Sequence, residues 1–224
     1  MSFFNVPKFR LNTRRINELY YEIELNWFKM KTELLIESLE KHIPLSEGDK
    51  NLIISCLRER KVMKGQFLVH EGGVCRCTYY VNDGSLRTYF IDMSGKEHIV
   101  QFAIEGWWIS DLNSFIFQMP ATFNVEAIED SHILELPFQN LEMLYEKIPK
   151  LERYFRIITQ RAFVSFQQRI VQNLSMTAEE RYLAFQAKYP KLELRIPQKL
   201  VASYLGISAE FLSKIKKWRR EGRG

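Results

Sequence analysis

The chain has 224 residues, 46% of them hydrophobic and 26% charged, which is typical of a soluble globular protein with one large domain or two small ones. No apolar run approaches the ~18–20 residues that a membrane-spanning helix needs. The first residues also lack the apolar core of a secretory signal. These features exclude an integral membrane protein and predict a cytoplasmic one.

Positive charge is concentrated at the C-terminal end. Residues 195–224 contain eight Lys or Arg and two Glu, a net charge of +6, whereas the other 194 residues contain 24 cations and 25 acids. This asymmetry suggests that the end of the chain binds a polyanion. Judged by charge alone, a basic tail that is simply solvated would be the more common case.

Two helices are predicted before residue 60. Helical spacing of apolar residues extends from Arg14 to Lys41 and is stopped by Pro44. A second, short helix begins after Ser46, a suitable N-cap, with Asp49 at its third position. Residues 1–32 as a whole form an N-terminal extension with no clear domain of their own.

Residues of about 61–137 have the pattern of an antiparallel β-domain. Six short runs, alternating or rich in β-branched residues, are separated by turn signals such as Gly72-Gly73 and Asp83-Gly84. The runs are QFLVHE (66–71), TYYVN (78–82), SLRTYFI (85–91), EHIVQFA (97–103), FNVEAI (123–128) and SHILELP (131–137). Strands at roughly ten-residue intervals predict a sandwich or barrel.

From Phe138 onward the apolar period is helical. A short helix ends before Pro149, and a long helix of about twenty residues carries one apolar stripe. The stripe comprises Leu151, Phe155, Ile158, Ala162, Phe166 and Ile170, and the small Ala162 and Ser165 would let a second helix approach closely. We expect this helix to form a dimer seam. The alternative is that the stripe packs on the β-domain of its own chain.

The last helices follow a helix-turn-helix pattern. Thr177 and Glu180 form a capping box for a helix that Pro190 closes. If Gln198 is the first position of a twenty-residue unit, the small Ala202 is fifth and Gly206 is ninth. The fifth position lies where the second helix crosses closely, and the ninth needs a positive φ. Val201, Leu205, Ile207, Leu212 and Ile215 would form the shared core.

The second of these helices has the composition of a DNA-reading element. Ser208 can cap it, and its exposed face would enter the major groove while amides and cations hold phosphates. The predicted DNA-binding residues are Gln198, Lys199, Ser203, Ser208, Ala209, Glu210, Ser213, Lys214 and Lys217. Glu210 could accept a hydrogen bond from cytosine, and Lys214 could donate one to guanine.

These motifs together resemble the Crp/Fnr family of bacterial transcription regulators, in the form common in Bacteroidetes. VHEGG (69–73), YYVNDGSLR (79–87), DMSGKEHIV (92–100) and EGWWISDL (105–112) resemble the family's β-roll, and PQKLVASYLGISAEFLSKIKK (197–217) resembles its DNA-binding helices. The resemblance implies an α+β fold. A β-roll of the cyclic-nucleotide-binding type, which is a double-stranded β-helix, would precede a dimerisation helix and a shortened winged-helix-type domain.

The resemblance also sets domain boundaries and partners. It places the sensor at 33–147, the dimerisation helix at 148–174 and the DNA-binding domain at 175–224. It implies a homodimer that binds two half-sites of a near-palindrome in double-stranded DNA, and it makes RNA polymerase a candidate partner. Ala209 occupies the place of the family's usual base-reading arginine, so we expect a different recognised sequence.

The effector pocket departs from the family pattern. Cyclic-nucleotide binders carry Gly-Glu-Leu and, about nine residues later, Arg-Ser or Arg-Thr. Here the first element is Ser110-Asp111-Leu112 and the second is Ala121-Thr122, and no Lys or Arg lies between Lys96 and Lys147. A buried phosphate without a cation is costly, so cyclic AMP is not expected to bind. Trp107, Trp108, Phe115, Phe117 and Phe123 predict either self-packed side chains or an apolar or weakly polar effector.

Other functions have weaker support. Cys75 and Cys77 are too few to hold zinc or an iron–sulfur cluster alone, so no metal or cofactor is predicted. No nucleophile–base pair or phosphate-binding glycine loop is present, which argues against an enzyme. The alternative to a DNA-binding regulator is an effector-sensing module that acts through a protein partner and has only non-specific affinity for DNA.

Overall fold

A computed structural model describes residues 32–190 and 192–222 of the chain. Two helices, α1 (32–40) and α2 (Glu47–Ser55), precede the strands. The strands are β1 (Arg58–Val62), β2 (Phe67–Val69), β3 (Cys77–Asp83), β4 (Leu86–Ile91), β5 (Glu97–Ala103), β6 (Trp108–Ile109), β7 (Asn124–Ala127) and β8 (Ser131–Pro137), with the short helix α3 (Leu112–Phe117) after β6. The helices α4 (Phe138–Lys147), α5 (Lys150–Ser175), α6 (Ala178–Lys188), α7 (Gln198–Leu205) and α8 (Ala209–Arg220) follow.

The strands form two four-stranded antiparallel sheets that confirm the predicted β-roll. Their orders are β1-β8-β3-β6 and β2-β7-β4-β5. The chain passes from one sheet to the other at the β3–β4 turn, where Gly84 has φ +98° and a Cβ would lie 2.2 Å from the Ser131 hydroxyl. No side chain fits there, so the Asp83-Gly84 turn fixes the junction of the sheets.

The helices cover one side of the roll. Tyr80 donates from its hydroxyl to the Leu34 carbonyl of α1, at 3.0 Å. Tyr154 of α5 bonds to Ser38 of α1 at 3.1 Å and accepts from the indole of Trp108 at 3.0 Å. Ser46 and Asp49 form the expected capping box of α2. These contacts anchor the start of α5 to the roll. The part of the predicted first helix before residue 32 lies outside the described residues.

Four elements differ from the sequence predictions. The β-domain begins at Arg58 rather than near 61, because Arg-Glu-Arg-Lys-Val forms an edge strand with most of its side chains in solvent. The two-residue strand β6 and the short helix α3 carry no periodic signal long enough to recognise. The long helix has 26 residues, more than the twenty expected, because its last turns contain no Gly or Pro that would end it.

Candidate nucleic-acid interface and effector pocket

The helices α7 and α8 form the predicted helix-turn-helix. Gly206 ends α7 in the left-handed conformation with φ +70°, and the Ile207 amide donates to the Ala202 carbonyl at 3.0 Å. The Ser208 side chain caps α8 by accepting from the Phe211 amide at 3.2 Å. Ala202, Leu212 and Ile215 are buried at the crossing, together with Tyr182 and Phe185 of α6. The small fifth residue and the glycine at the ninth position therefore act as the pattern predicted.

One face of α8 is open to solvent. Glu210, Ser213, Lys214 and Lys217 are exposed, whereas Ala209 is half-buried against the core. Hydrogen bonds from its own amide and from Ser208 lower the pKa of Glu210, which favours the ionised form that accepts hydrogen bonds. This face therefore offers one acceptor, one hydroxyl and two cations at neighbouring positions, which is the chemistry that reads base edges.

Sequence reasoning missed two features of α8. Phe211 and Trp218 are both about 40% exposed, and their rings are 6.4 Å apart. The second feature is an ion pair between Lys216 of α8 and Glu193 of the loop before α7, with the charged atoms 2.8 Å apart. The helical spacing of 211 and 218 could have indicated the aromatic pair, but the ion pair depends on a loop whose path the sequence does not specify.

Helix α7 is docked on strand β5, which contradicts the predicted DNA role of Ser203. The Ser203 hydroxyl donates to the Glu97 carbonyl at 2.8 Å and accepts from the Ile99 amide at 3.1 Å. Both groups belong to the sheet, so the Ser203 hydroxyl already has a donor and an acceptor in β5. Gln198 and Lys199, at the start of α7, are exposed and stay candidates for phosphate contact.

Two arginines reinforce the docking. Arg169 of α5 donates to the carbonyls of Val100, Ile99 and Tyr204, at 2.5, 2.9 and 3.2 Å. Its guanidinium also stacks on the Tyr204 ring, 4.1 Å from the centroid. Arg195 binds Glu105 through both carboxylate oxygens and Glu129 at 2.5 Å. The long helix, the roll and the helix-turn-helix are therefore held as one unit.

Asp111, predicted to face an effector, is buried and satisfied by the backbone. One carboxylate oxygen accepts from the Ser114 amide at 2.9 Å and so caps α3. The other accepts from the amides of Thr122 and Phe123, at 2.8 and 3.0 Å. Three N–H donors occupy the carboxylate that would otherwise take a ribose hydroxyl, so its role here is to close the loop between β6 and β7.

The other cassette positions support the same closure. Ala121 is buried and exchanges backbone hydrogen bonds with Gly72 and Gly73 of the facing loop, at 2.8 and 2.7 Å. Ser110 is half-buried, whereas Leu112 and Thr122 are exposed. Asp111 and Ala121 are therefore buried in backbone contacts, while the side chains of Leu112 and Thr122 lie in solvent. The alanine at position 121 carries no positive charge that could pair with a phosphate.

The predicted apolar filling is right for some aromatic residues and wrong for others. Phe115 is buried against Phe138, and Trp108 packs on Tyr80 and Phe155. Phe117, however, is 66% exposed, because it is the last residue of α3 and points away from the roll. The Trp107 ring contacts that of Tyr189 in the helical domain in a tilted arrangement, with the centroids 5.7 Å apart, and Phe123 contacts Phe90 on the sheet.

The apolar stripe of α5 divides into two parts. Leu151 is buried in the core of the roll and is therefore not available to a partner helix, whereas Phe155 and Ile158 are half-buried against the roll. The small Ser165 accepts from Lys188 of α6 and is likewise not free for a partner helix. Beyond Ala162 the helix exposes a second apolar face, formed by Phe163, Val164, Phe166, Ile170, Val171 and Leu174.

Metal-binding clusters and membrane-spanning helices are both absent from the part of the chain that the structure describes. No group of three or more His, Cys, Asp or Glu side chains is placed to bind a metal ion there. Within the same ranges, no helix combines the length and the apolar character needed to cross a bilayer.

Comparisons with known proteins agree with this architecture. Residues 59–147 match the family model of the cyclic nucleotide-binding domain. The chain is 29% identical over 171 residues to the regulatory protein HlyX of Actinobacillus pleuropneumoniae, over 70% of both chains. It is 26% identical to the transcriptional activator protein anr of Pseudomonas aeruginosa, over 70% of this chain and 68% of that one. Across the first five relatives, the alignments cover 61–70% of their lengths.

Solved structures show the same fold. The structure of FixK2 from Bradyrhizobium japonicum superposes with a TM-score of 0.66 at 18% identity, over 74% of this chain and 86% of that one. A Crp/Fnr-family transcriptional regulator from Eubacterium rectale superposes with a TM-score of 0.63 at 20% identity, over 80% and 85%. The first domain is therefore of the cyclic-nucleotide-binding class. With the helix-turn-helix behind it, the chain is similar in sequence and in fold to transcription regulators of the Crp/Fnr family.

Proposed function

We propose that the protein is a homodimeric, sequence-specific DNA-binding regulator that reads a near-palindrome. The observation that supports this most is the open face of α8, where Glu210, Ser213, Lys214 and Lys217 project from a helix whose opposite side is buried. A recognition helix needs this division, because its inner side is fixed to the domain while its outer side enters the major groove.

The exposed apolar face of α5 supports the homodimer. Soluble monomers rarely expose a run of large apolar side chains, and a second copy of the same helix would cover this one by an isologous contact. The face begins after Ala162, so the contact would involve the second half of α5 only. One recognition helix per protomer would then meet each half-site.

We further propose that cyclic AMP is not the effector. Asp111 is engaged by three backbone amides, and Ala121 replaces the expected arginine. Binding would require breaking these hydrogen bonds and burying a phosphate without a cation. Titration calorimetry with cyclic AMP should give no heat of binding at micromolar concentrations; saturable heat there would refute the proposal.

The test of DNA reading is selection from random double-stranded DNA at about 0.15 M salt, since phosphate contacts dominate at lower salt. The wild type should recover a near-palindrome with half-site centres about ten base pairs apart. A Ser213→Ala, Lys214→Ala variant should lose it. Lys64→Ala, an exposed cation of the roll, serves as the control and should recover the same motif.

The same selection distinguishes the alternative of a sensor that acts through a protein partner. In that case both variants and the wild type would bind DNA diffusely, with affinity falling steeply with salt and no motif recovered. That outcome would reject sequence-specific reading by α8.

A further inference from the structure

A small polar cavity lies between α5, α6 and α7, outside the DNA-reading face. It has a volume of about 40 Å³ and is lined by the cations Arg169, Arg181 and Lys188 and by side-chain amides and hydroxyls. No Asp or Glu is among the described residues that line it. Three cations around one cavity without a carboxylate repel one another, so the arrangement favours a bound anion.

The hydrogen bonds of these cations do not neutralise their charge. Arg169 donates only to backbone carbonyls, and Lys188 donates to the Ser165 hydroxyl. Arg181 donates from Nη1 to the Met176 carbonyl at 2.9 Å. Its Nε is buried and meets no acceptor among the described residues. A buried N–H donor without a partner is rare in folded proteins and indicates a missing acceptor.

The protonation equilibria agree with this geometry. Burial, and then the charge of Arg169, lowers the pKa of Lys188. Burial also lowers the pKa of Arg169. Both shifts mean that the charged forms are disfavoured where they stand, and a nearby anion would reverse them.

We propose that this cavity binds a phosphate-sized oxyanion, either inorganic phosphate or the phosphate group of a small phosphorylated metabolite. A water molecule needs roughly 10–15 Å³ of such space, so the cavity holds more than one water but not a nucleotide. Arg181 and Lys188 would donate charge-assisted hydrogen bonds to the oxyanion. The site does not depend on DNA binding, because it lies away from the open face of α8.

The position of the cavity gives the anion a structural consequence. At 3.6 residues per turn, Ser165, Gln168 and Gln172 lie on one side of α5, and the exposed Phe166 and Ile170 lie on a different side. A dimer partner would therefore leave the cavity open. An anion there would join α5 to α6 at the point where Arg169 already joins α5 to β5.

The first test is titration of the DNA-free protein with inorganic phosphate, in chloride buffer at constant ionic strength, followed by calorimetry and by the melting temperature. The wild type should show saturable binding and a rise in melting temperature. An Arg181→Met, Lys188→Met variant should bind at least about tenfold more weakly. Arg153→Met, an exposed cation of α5 outside the cavity, is the matched control and should bind as the wild type does.

Glycerol phosphate, titrated in parallel, distinguishes the two forms of the ligand. Tighter binding than that of inorganic phosphate would assign the site to a phosphorylated metabolite, and weaker binding would assign it to the free ion. An equal rise in melting temperature in all variants would reflect only the general stabilising effect of phosphate and would overturn the proposal.

A second variant keeps the test valid if the double substitution does not fold. Gln172→Glu is nearly isosteric and places a carboxylate in the cavity. It should raise the melting temperature in phosphate-free buffer and abolish the response to phosphate, because it supplies the anion internally. If Gln172→Glu lowers the melting temperature and the response to phosphate persists, the cavity is not an anion site.

Discussion

Ser203 of α7 and Glu97 of β5 are joined by a hydrogen bond of 2.8 Å from the serine hydroxyl to the backbone carbonyl. The same hydroxyl accepts from the Ile99 amide. Since β5 is the edge strand of its sheet, this one side chain takes the place of a neighbouring strand for these two backbone groups. Arg169 binds the next carbonyls along β5. The β-roll and the helix-turn-helix therefore meet in part through the backbone of β5, in addition to the ion pairs of Arg195.

We expect Ser203→Ala to weaken this docking without changing the DNA sequence that is recognised. It removes two hydrogen bonds and leaves the Ile99 amide unpaired, so the free energy of unfolding should fall by about 1–3 kcal/mol. Urea denaturation measures the loss. The control is Ser213→Ala on the exposed face of α8, which should leave stability unchanged. If Ser203→Ala alters the selected DNA motif and not the stability, the docking role is wrong.

The ion pair between Arg195 and Glu105 should make stability depend on pH. Burial raises the pKa of Glu105, but hydrogen bonds from Arg195, from its own amide and from the Gly84 amide outweigh this and lower it overall. A carboxylate with a lowered pKa in the folded state stabilises above its ordinary pKa, and the stabilisation is lost as the pH falls through the folded value.

The expected outcome is a decline in the free energy of unfolding from about pH 5 downward, part of which is absent in Glu105→Gln. Urea denaturation between pH 7 and 3 measures both profiles. Glu129 pairs with the same guanidinium, so Glu129→Gln is measured beside it as a control for loss of the second ion pair. Identical profiles for the wild type and Glu105→Gln would show that this pair does not carry the pH dependence.

The sequence predicted the parts of this fold that depend on local periodicity. The capping boxes at Ser46 and Thr177, the turn at Gly206 and the core of the helix-turn-helix all appear as expected, because each depends on neighbouring residues. The docking of Ser203 on β5 could not be predicted in the same way. The contact joins residues more than one hundred positions apart. No sequence pattern around a half-buried serine predicts which distant residue it will bond to.

The predicted effector positions likewise include features that the sequence shows and features that only the structure shows. The absence of a cassette arginine was evident from Ala121 and its neighbours. That Asp111 would turn inward to bind three amides was not, because the same carboxylate in an open loop could equally face a ligand. Likewise, the stripe on α5 predicted one apolar face, whereas the roll covers Leu151 and leaves the second half of the helix exposed.

Asp111→Asn should destabilise the protein whether or not a ligand is present. The amide loses the charge-assisted bonds and turns a donor toward backbone N–H groups, so the free energy of unfolding should fall by about 1.5–3 kcal/mol. Chemical denaturation measures this, with the exposed Thr122→Ala as the control. Unchanged stability in Asp111→Asn would mean that the carboxylate is free and available to an effector.

Phe166→Glu and Ile170→Glu should convert the proposed dimer to a monomer. Both side chains are exposed on α5, Phe166 at 40% and Ile170 at 58%, so a charge costs little in the isolated chain. In a symmetric contact, the same two positions of the partner would bring like charges together and bury them, which disfavours association.

Sedimentation velocity across a concentration series measures the change. The wild type should sediment as a dimer and the Phe166→Glu, Ile170→Glu variant as a monomer whose melting temperature is close to that of the wild type. Arg153→Glu, an exposed position on the first half of α5, should leave the dimer intact. A dimer that survives Phe166→Glu and Ile170→Glu would place the contact elsewhere, and the spacing of the two recognition helices would no longer follow from α5.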